Sequence, residues 1–526
     1  SQNGAITLAA NTTAISNVLY DTTSGNRLSD ISAASITTTS GSTFAVNYSV
    51  ISTGSAITVA AIAVPGSVTI DNTYGSASGS KSSGYFNANN NSTSNVTTSA
   101  GALVGGAITA GTSLTIKGVS ASNWGLQNSS AYTLTATNGD ISLVGVGLNG
   151  TYQMGSLIAS AGSIGISSVS TSSVWSYYAQ SGSQVNYIAL NDINIASYAV
   201  TYSSAINLTN ILIRTTNGDI VLSARGGVTS NGSVSQVLYM AGVAVKAGRN
   251  FTIQGSSLSS GIAVAAASTA VSTTGGFIAV DVRTSASWAY GGVTSTGYKA
   301  TGDISIAGTS NSSYGIYADS VIESTASSVT MTGTSTSGFG TYLNTSNTVT
   351  AVTGISIYGR GAAGSVNTVG LIKNTGSTGG IILNAATDAS IGAVTNSGSD
   401  GIRITGGNGI AAGTTTGGSI VALGTVTNTA GVVALSMASP RTANSYDIEG
   451  KIGITASNAS TDNIRYSVQG GTFTTPTTYI SGNYIDYRAG TTTYTITVSL
   501  GGNYSAAYGT AYTDSSALTW LRSNAT

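Results

Sequence analysis

Short runs that alternate apolar and polar residues recur along the chain, separated by segments rich in glycine, serine, threonine and asparagine. The segment "GDISIAG" at 302–308 is typical, because it places Ile304 and Ile306 two residues apart. Alternate side chains of a strand lie on one face, so each run predicts a short strand with an apolar face. The pattern recurs about every 26 residues, at Leu114/Ile116, Ile141/Leu143, Ile164/Ile166, Ile193/Ile195, Ile220/Leu222, Phe251/Ile253, Ile278/Val280, Ile304/Ile306, Val329/Met331, Ile355/Ile357 and Ile381/Leu383.

A second apolar run follows the first in several repeats, after a polar corner such as "TSNSS" at 309–313. These second runs contain Ile316, Leu343, Leu371/Ile372 and Ile391. Glycine and β-branched residues dominate, which argues against helices. A single coil cannot bury its apolar face alone, whereas stacked coils can. The sequence therefore predicts an all-β fold, a parallel β-helix (β-solenoid) with coils of about 26 residues, in which Ile304, Ile306, Ile355 and Ile357 point into the core.

The repeat is not uniform, and three regions are predicted. Residues 1–105 have strand patterns without a clear period and are interpreted as an N-terminal β region or cap, with a polar loop at 76–101. Residues 106–460 are predicted to form the parallel β-helix. Residues 461–526 alternate over longer strands and predict a small C-terminal β domain. Solenoids need atypical ends, because open terminal strands pair with other strands.

Composition and charge exclude several classes of function. Charged residues make up 6% of the chain, against roughly 25% in ordinary soluble domains. Basic and acidic residues number 17 each, so no basic surface is available for phosphates and nucleic acid is not an expected partner. Histidine and cysteine are both absent, which removes imidazole and thiolate metal ligands and the Ser-His-Asp triad. The apolar stretch at 56–64 is about half the length of a membrane-spanning helix, so a membrane span is not expected.

Four aspartates occupy one frame, immediately before the first strand of a coil: Asp140, Asp192, Asp219 and Asp303. Clustered acids could form a general acid/base pair or a Ca²⁺ site, and Asp192 and Asp219 are candidates for adjacent coils. Aspartate also caps corners by accepting local backbone N–H groups, and this structural role is the one predicted. A second group, Asp388, Asp400 and Arg403, is interpreted as a surface salt bridge. No catalytic, cofactor-binding or metal-binding residue is therefore predicted, and no enzymatic activity.

Aromatic residues are concentrated in "VWSYYAQ" at 174–180, and Trp124, Trp175 and Trp288 are candidates for exposure. Exposed rings could stack on sugars or on a neighbouring molecule. The alternative, which is favoured, is that the aromatic residues fill the wider parts of the solenoid core.

The segment "GDISIAGTSNSSYGIYADSVIESTASSVTMTGTSTSGFGTYL" at 302–343 resembles filamentous-haemagglutinin-like β-helical exoproteins, which comprise two-partner secretion and autotransporter adhesin passengers. The resemblance covers roughly 110–440, and "NYSAAYGTAYT" at 503–513 is similar to small β modules appended to such proteins. It implies a secreted surface protein that adheres or assembles.

The expected function is that of an extracellular, cell-surface adhesive or structural rod, mature after removal of a signal. The alternative is a self-assembling fibre subunit that polymerises head to tail, and a third hypothesis is a polysaccharide-active β-helix enzyme. Expected partners are copies of the chain and glycans or proteins of host or neighbouring cells. No cofactor is expected.

Overall fold

The structure, a computed structural model, describes the following residues: 6–10, 31–37, 48–52, 57–72, 101–128, 131–171, 175–201, 205–227, 236–257, 262–267, 269–284, 296–311, 313–406, 420–423, 425–428, 433–438, 452–456, 464–469, 477–478, 487–488 and 496–500. Within these ranges every regular secondary-structure element is a β-strand. The chain divides into two compact units, Ser1–Thr274 (unit 1) and Gly275–Thr526 (unit 2).

The strands of unit 1 are mostly short and separated by corners of a few residues. They are β1 (Ile6–Ala10), β2 (Ile31–Thr37), β3 (Tyr48–Ser52), β4 (Ile57–Val64), β5 (Val68–Asn72), β6 (Ala102–Val104), β7 (Ile108–Ala110), β8 (Leu114–Asn128), β9 (Leu134–Ala136), β10 (Ile141–Gln153), β11 (Leu157–Ala159), β12 (Ile164–Ser170), β13 (Tyr177–Ala189), β14 (Ile193–Ala199), β15 (Ile206–Thr215), β16 (Ile220–Gly226), β17 (Gln236–Ala241), β18 (Ala244–Ala247), β19 (Phe251–Ser257), β20 (Ile262–Ala267) and β21 (Thr269–Thr273).

The strands of unit 2 follow the same plan. They are β22 (Ile278–Thr284), β23 (Thr296–Ala300), β24 (Ile304–Ser310), β25 (Tyr314–Ala318), β26 (Ile322–Ser324), β27 (Ser328–Ser335), β28 (Phe339–Leu343), β29 (Thr348–Ala351), β30 (Gly354–Arg360), β31 (Gly364–Asn374), β32 (Gly380–Ala385), β33 (Ala389–Asn396), β34 (Gly401–Gly406), β35 (Ile420–Leu423), β36 (Thr425–Asn428), β37 (Val433–Ala438), β38 (Ile452–Ala456), β39 (Ile464–Gln469), β40 (Thr477–Thr478), β41 (Tyr487–Arg488) and β42 (Ile496–Leu500).

In unit 1 each strand pairs in parallel with a strand of the next coil, which produces three sheets. Sheet A contains β1, β3, β5, the first halves of β8 and β10, β12, β14, β16 and β19. Sheet B contains β6, the second halves of β8 and β10, the first parts of β13 and β15, β17 and β20. Sheet C contains β7, β9, β11, the last parts of β13 and β15, β18 and β21. Strands β2 and β4 bend from sheet B into sheet C.

Unit 2 repeats the three-sheet arrangement. Sheet A contains β22, β24, β27, β30, β32, β34, β37 and β39. Sheet B contains β25, β28, the first parts of β31 and β33, and β35. Sheet C contains β23, β26, β29, the last parts of β31 and β33, β36, β38 and β42. Strands β40 and β41 form a separate antiparallel pair.

The core consists of apolar side chains that stack in register from coil to coil. In sheet A of unit 2, Ile304, Val329, Ile355 and Ile381 are directly paired in sequence order. All four are at most 2% exposed. Burying one such side chain contributes about 1.5–3 kcal/mol. Because every coil repeats these contacts, stability accumulates by stacking.

The corner between sheets A and B brings two backbone segments very close together. A Cβ atom added to Gly333 would lie 2.1 Å from the carbonyl oxygen of Gly340. In unit 1 the same construction on Gly118 places the atom 2.0 Å from the carbonyl oxygen of Gly125. Glycine therefore recurs at this corner because a side chain would push the two sheets apart.

The predicted fold class is confirmed, since the chain is a parallel β-solenoid with coils of about 26 residues. Ile304, Ile306, Ile355 and Ile357 are 1%, 1%, 2% and 0% exposed, so their predicted inward orientation is also confirmed. The domain boundaries stay predictions. Apart from Gly101, the predicted loop at 76–101 lies outside the described residues. Within 461–526, β39 pairs in parallel with β37, and β42 with β38.

Candidate functional site

The aspartates that precede the strands of sheet A bind the following coil. In unit 2, Asp303 Oδ1 accepts a hydrogen bond from Ser328 N at 3.1 Å and one from Ser328 Oγ at 2.7 Å. In unit 1, Asp140 Oδ1 accepts one from Ser163 N at 2.7 Å. The hydroxyls of Ser327 and Ser328 hold the pKa of the Asp303 carboxyl below its ordinary value. These carboxylates bind backbone N–H groups as predicted, but the groups belong to the next coil and not to the local turn.

Asp192 and Asp219 precede adjacent strands of sheet A, β14 and β16. Asp192 Oδ1 accepts the backbone N–H of Asp219 at 2.8 Å, and Asp219 Oδ1 accepts that of Asn250 at 2.9 Å. Arg249 donates two hydrogen bonds of 2.8 Å to Asp219 and lies 3.9 Å from Asp192. The guanidinium lowers the pKa of the Asp219 carboxyl, whereas a general acid requires a raised pKa. The geometry suits structural links between coils.

The second predicted acidic group is not assembled as a salt bridge. Asp400 accepts a hydrogen bond from Ser399 Oγ at 3.1 Å, and none of the ion pairs among the described residues involves Arg403. Asp388 accepts the backbone N–H of Ser365 through its own carbonyl oxygen at 2.9 Å. No group of three or more acidic side chains that could hold a metal ion occurs within the described ranges.

We expect Asp303→Asn to reduce the acid sensitivity of unit 2 while costing about 1 kcal/mol or less at pH 7, since the carboxylate is largely exposed. The folded-state pKa lies below the ordinary value of 3.8. The link therefore stabilises the fold above that value and is lost as the pH falls through the folded-state pKa. Thermal midpoints measured from pH 7 to about pH 2.5 test this, with Asp400→Asn as the control. Identical acid profiles for wild type and Asp303→Asn would contradict it.

Some aromatic residues fill the core, as the favoured interpretation predicts. Tyr177 and Tyr187 are fully buried in unit 1, and their hydroxyls are 2.7 Å apart. Burial raises the pKa of both hydroxyls. Tyr298 is also buried, in unit 2.

Other aromatic residues lie outside the core, on the outer face of sheet B in unit 1. Trp124, Tyr152, Tyr178 and Trp175, which we call the aromatic ladder, are all half-exposed. The ring centroids of Trp124 and Tyr152 are 5.2 Å apart with planes at 30°, and those of Tyr152 and Tyr178 are 5.3 Å apart with planes at 26°. Trp175 lies 6.4 Å from Tyr178. Tyr152 and Tyr178 are in register on adjacent coils, where strands lie about 4.8 Å apart and favour offset stacking. Trp124 is paired with Asn149 instead and also lies 6.4 Å from Tyr178, so the rings form a packed group.

Sheet B of unit 2 carries a second group, the aromatic cluster of Tyr314, Tyr317, Phe339 and Tyr342. Tyr314 stacks on Phe339 with centroids 5.6 Å apart and planes at 11°. Tyr317 stacks on Tyr342 at 5.5 Å and 2°. The four rings also contact one another edge to face. All four are half-exposed.

A short motif in the sequence produces both groups. It consists of an outward residue, a small inward residue, a second inward residue and an outward residue that is usually tyrosine. It occurs as "WGLQ" at 124–127, "NGTY" at 149–152, "WSYY" at 175–178, "YGIY" at 314–317 and "FGTY" at 339–342. The last two belong to second apolar runs that the sequence predicts as strands, but the outward orientation of their aromatic positions was not predicted. Trp288 lies outside the described residues.

Sheet B also differs from the other sheets in charge. Within the described strands of either unit, sheet B contains no Asp, Glu, Lys or Arg. Sheets A and C do carry charged residues. On sheet A these include Lys117, Arg225, Asp281, Arg283, Arg360 and Arg403, and on sheet C they are Arg214, Lys246, Lys299, Glu323 and Lys373.

No protein-family model matches the chain, and no curated protein matches it. The resemblance to filamentous-haemagglutinin-like exoproteins accordingly stays a prediction. Among the described residues there is no helix of the length and hydrophobicity that a bilayer crossing requires.

Proposed function

We propose that the chain is a secreted, non-enzymatic cell-surface protein whose stacked coils form a rigid support for adhesion. One observation carries the proposal: the aspartates before the strands of sheet A, which are the candidate acids for a polysaccharide-active enzyme, are used to link coils. Asp192, Asp219 and Asp303 each bind backbone N–H groups of the following coil. With apolar side chains filling the interior, the outer faces of the sheets are left as the surface for function.

The fold suits such a support. Each unit is a stack of coils joined by parallel strand pairing, and repeated inward side chains fill the interior. In solenoids each coil contacts mainly its neighbours, so length can be added without a new core. The outer surface is rich in serine, threonine and asparagine with few charges, which suits binding through hydrogen bonds and apolar contacts.

Adhesion is tested by displaying the chain on a non-adherent bacterium and measuring retention on epithelial monolayers and on mannan-coated glass under flow. Retention above that of the undisplayed carrier is expected. The control is the Ile355→Asp variant, in which the coils next to residue 355 are expected to unfold, so that retention that depends on these coils is lost. Equal retention of carrier and displayed chain on both surfaces would count against adhesion.

We expect no hydrolase or lyase activity. The chain contains no histidine, and Arg249 holds Asp219 in its ionised form. Incubation with neutral and acidic polysaccharides should release no reducing ends and produce no unsaturated sugars. The contrary result would be product formation by the wild type that disappears in Asp192→Asn or Asp219→Asn.

The alternative function, a fibre subunit that grows head to tail, stays a prediction. Negative-stain microscopy of the full chain and of a chain lacking 461–526 tests it. Filaments that vanish on truncation are expected if these residues connect neighbouring subunits, whereas increased aggregation is expected if they form a cap.

A further inference from the structure

We propose that Tyr314 and Tyr342, which lie on adjacent coils of unit 2, are a site of covalent modification where an oxidant joins the two rings as a dityrosine cross-link. The cross-link is independent of the adhesive function. It uses contacts inside one unit of the solenoid and requires no partner surface. The distance and angle between the two rings, their exposure and the rings around them point to this pair.

The relative orientation of Tyr314 and Tyr342 is close to that of the coupled product. Their ring centroids are 5.2 Å apart and their planes are inclined at 62°. In dityrosine the new bond joins two ring carbons, each next to the carbon that bears the hydroxyl. This bond lies in the plane of both rings, and the rings are twisted against each other because their neighbouring substituents collide. Tyr317 and Tyr342 are instead parallel within 2° at 5.5 Å, so faces and not edges meet.

The register of the strands also favours this diagonal pair. Tyr314 is paired with Phe339, which has no hydroxyl to oxidise, and Tyr342 is paired with Tyr317. In dityrosine the two Cβ atoms lie further apart than the strand spacing of about 4.8 Å, because each is attached two ring carbons away from the new bond. A diagonal pair supplies the extra separation along the strand. The hydroxyl of Tyr317 also accepts a hydrogen bond from Asn344 Nδ2 at 3.2 Å, which holds that ring in place.

Exposure distinguishes this pair from the buried tyrosines of unit 1. Tyr314 and Tyr342 are both half-exposed, so an oxidising enzyme or a small oxidant can contact their rings. Tyr177 and Tyr187 have hydroxyls 2.7 Å apart, but both rings are fully buried in the core. Close contact and exposure therefore coincide in the aromatic cluster and not in the buried pair.

The reaction is a two-electron oxidation, for which the oxidant is hydrogen peroxide acting through a peroxidase. Each phenol loses one electron and its hydroxyl proton and becomes a phenoxyl radical. The two radicals form a carbon–carbon bond, and the hydrogen on each coupled carbon then moves as a proton to the ring oxygen, which restores both phenols. In total two hydrogens leave the protein, and the peroxide is reduced to two molecules of water.

The cross-link would join two adjacent coils covalently. Strands β25 and β28 are otherwise held together by parallel pairing and side-chain contacts. The chain contains no cysteine, so a disulfide cannot provide such a link. Since each coil of a solenoid depends on its neighbours, a bond between two coils opposes their separation.

Peptide mapping of the oxidised full chain tests the proposal. The purified chain is treated at low concentration with a peroxidase and hydrogen peroxide, and is then digested with trypsin and a glutamate-specific protease. Cleavage after Lys299, Glu323 and Arg360 places the two tyrosines on separate peptides, 300–323 and 324–360. We expect mass spectrometry to find these peptides joined with the loss of two hydrogens, in a chain that runs as a monomer on a denaturing gel.

Fragment spectra should place the link at Tyr314 and Tyr342. Tyr314→Phe and Tyr342→Phe should each abolish it, because phenylalanine forms no phenoxyl radical. Tyr317→Phe and Tyr358→Phe are the matched controls and should keep it, and circular dichroism checks that each variant is folded. The wild-type map decides the matter for any variant that does not fold. Absence of the joined peptides, a link that forms only between copies of the chain, or a link that maps to Tyr317 or Tyr358 overturns the proposal.

Discussion

Replacing Ile355 by aspartate is expected to destabilise unit 2 by about 4 kcal/mol or more. The side chain is 2% exposed and is paired with Val329 on one side and Ile381 on the other. A carboxylate there would be buried among apolar groups, where an unpaired charge costs several kcal/mol. Circular dichroism during urea and thermal unfolding measures the effect. Partial unfolding confined to the neighbouring coils is the expected first event, because solenoid coils depend on their immediate neighbours.

Two substitutions provide controls for this register. Ser356→Asp changes the next residue of the same strand, which faces outward and is half-exposed, and should shift stability by about 0.5 kcal/mol or less. Ile355→Val removes one methylene from the core and should cost about 0.5–1.5 kcal/mol. A strand shifted by one residue would exchange the inward and outward sets. Equal stability of Ile355→Asp and wild type would therefore contradict the observed register.

The inward positions could be predicted because they depend on strand alternation alone. Ile304 and Ile306 are two residues apart, and any strand through them buries both or neither. The spacing of about 26 residues then implied stacking. The number of sheets could not be predicted, because a short polar corner does not reveal the angle through which it turns the chain.

The outward aromatic residues were harder to predict for a related reason. Tyr317 follows Ile316 directly, and Tyr178 follows Tyr177, so in each pair one residue is buried and the other half-exposed. Which of two adjacent apolar residues faces inward depends on how the corner enters the strand. The aspartates posed the same difficulty. Aspartate is a residue type that caps local turns, but the partner of Asp303, Ser328, belongs to the next coil. Which residue of the next coil lies beside Asp303 is known only once the coils are stacked.

The corner between sheets A and B, where the chain turns from one sheet into the next, is formed by glycines in several coils. The inward residues of the sheet A strand differ in size, because Ile304 and Ile306 are large whereas Gly308, next to the corner, is small. Gly315 lies opposite Gly308 on the other side of the corner. An added Cβ at Gly308 would lie 2.1 Å from the carbonyl oxygen of Gly315. The corner can therefore be tight only where both residues are small.

Gly333→Ala is expected to destabilise unit 2 by about 3 kcal/mol. The new Cβ would lie 2.1 Å from the carbonyl oxygen of Gly340 and 2.4 Å from Thr341 Oγ1. The first obstacle is backbone, which cannot rotate away as a side chain can, so sheets A and B must separate and weaken their pairing with the coils on either side.

Gly165→Ala, also in a strand of sheet A, is the matched control. Its Cβ would meet one atom, the Ile141 carbonyl oxygen, at 3.9 Å, so this variant should be neutral or more stable by up to about 1 kcal/mol. Thermal midpoints of the two variants measure the difference. Equal effects would mean that the loss of stability comes from replacing glycine as such, and that the close approach of the two backbones at the corner is not what requires it.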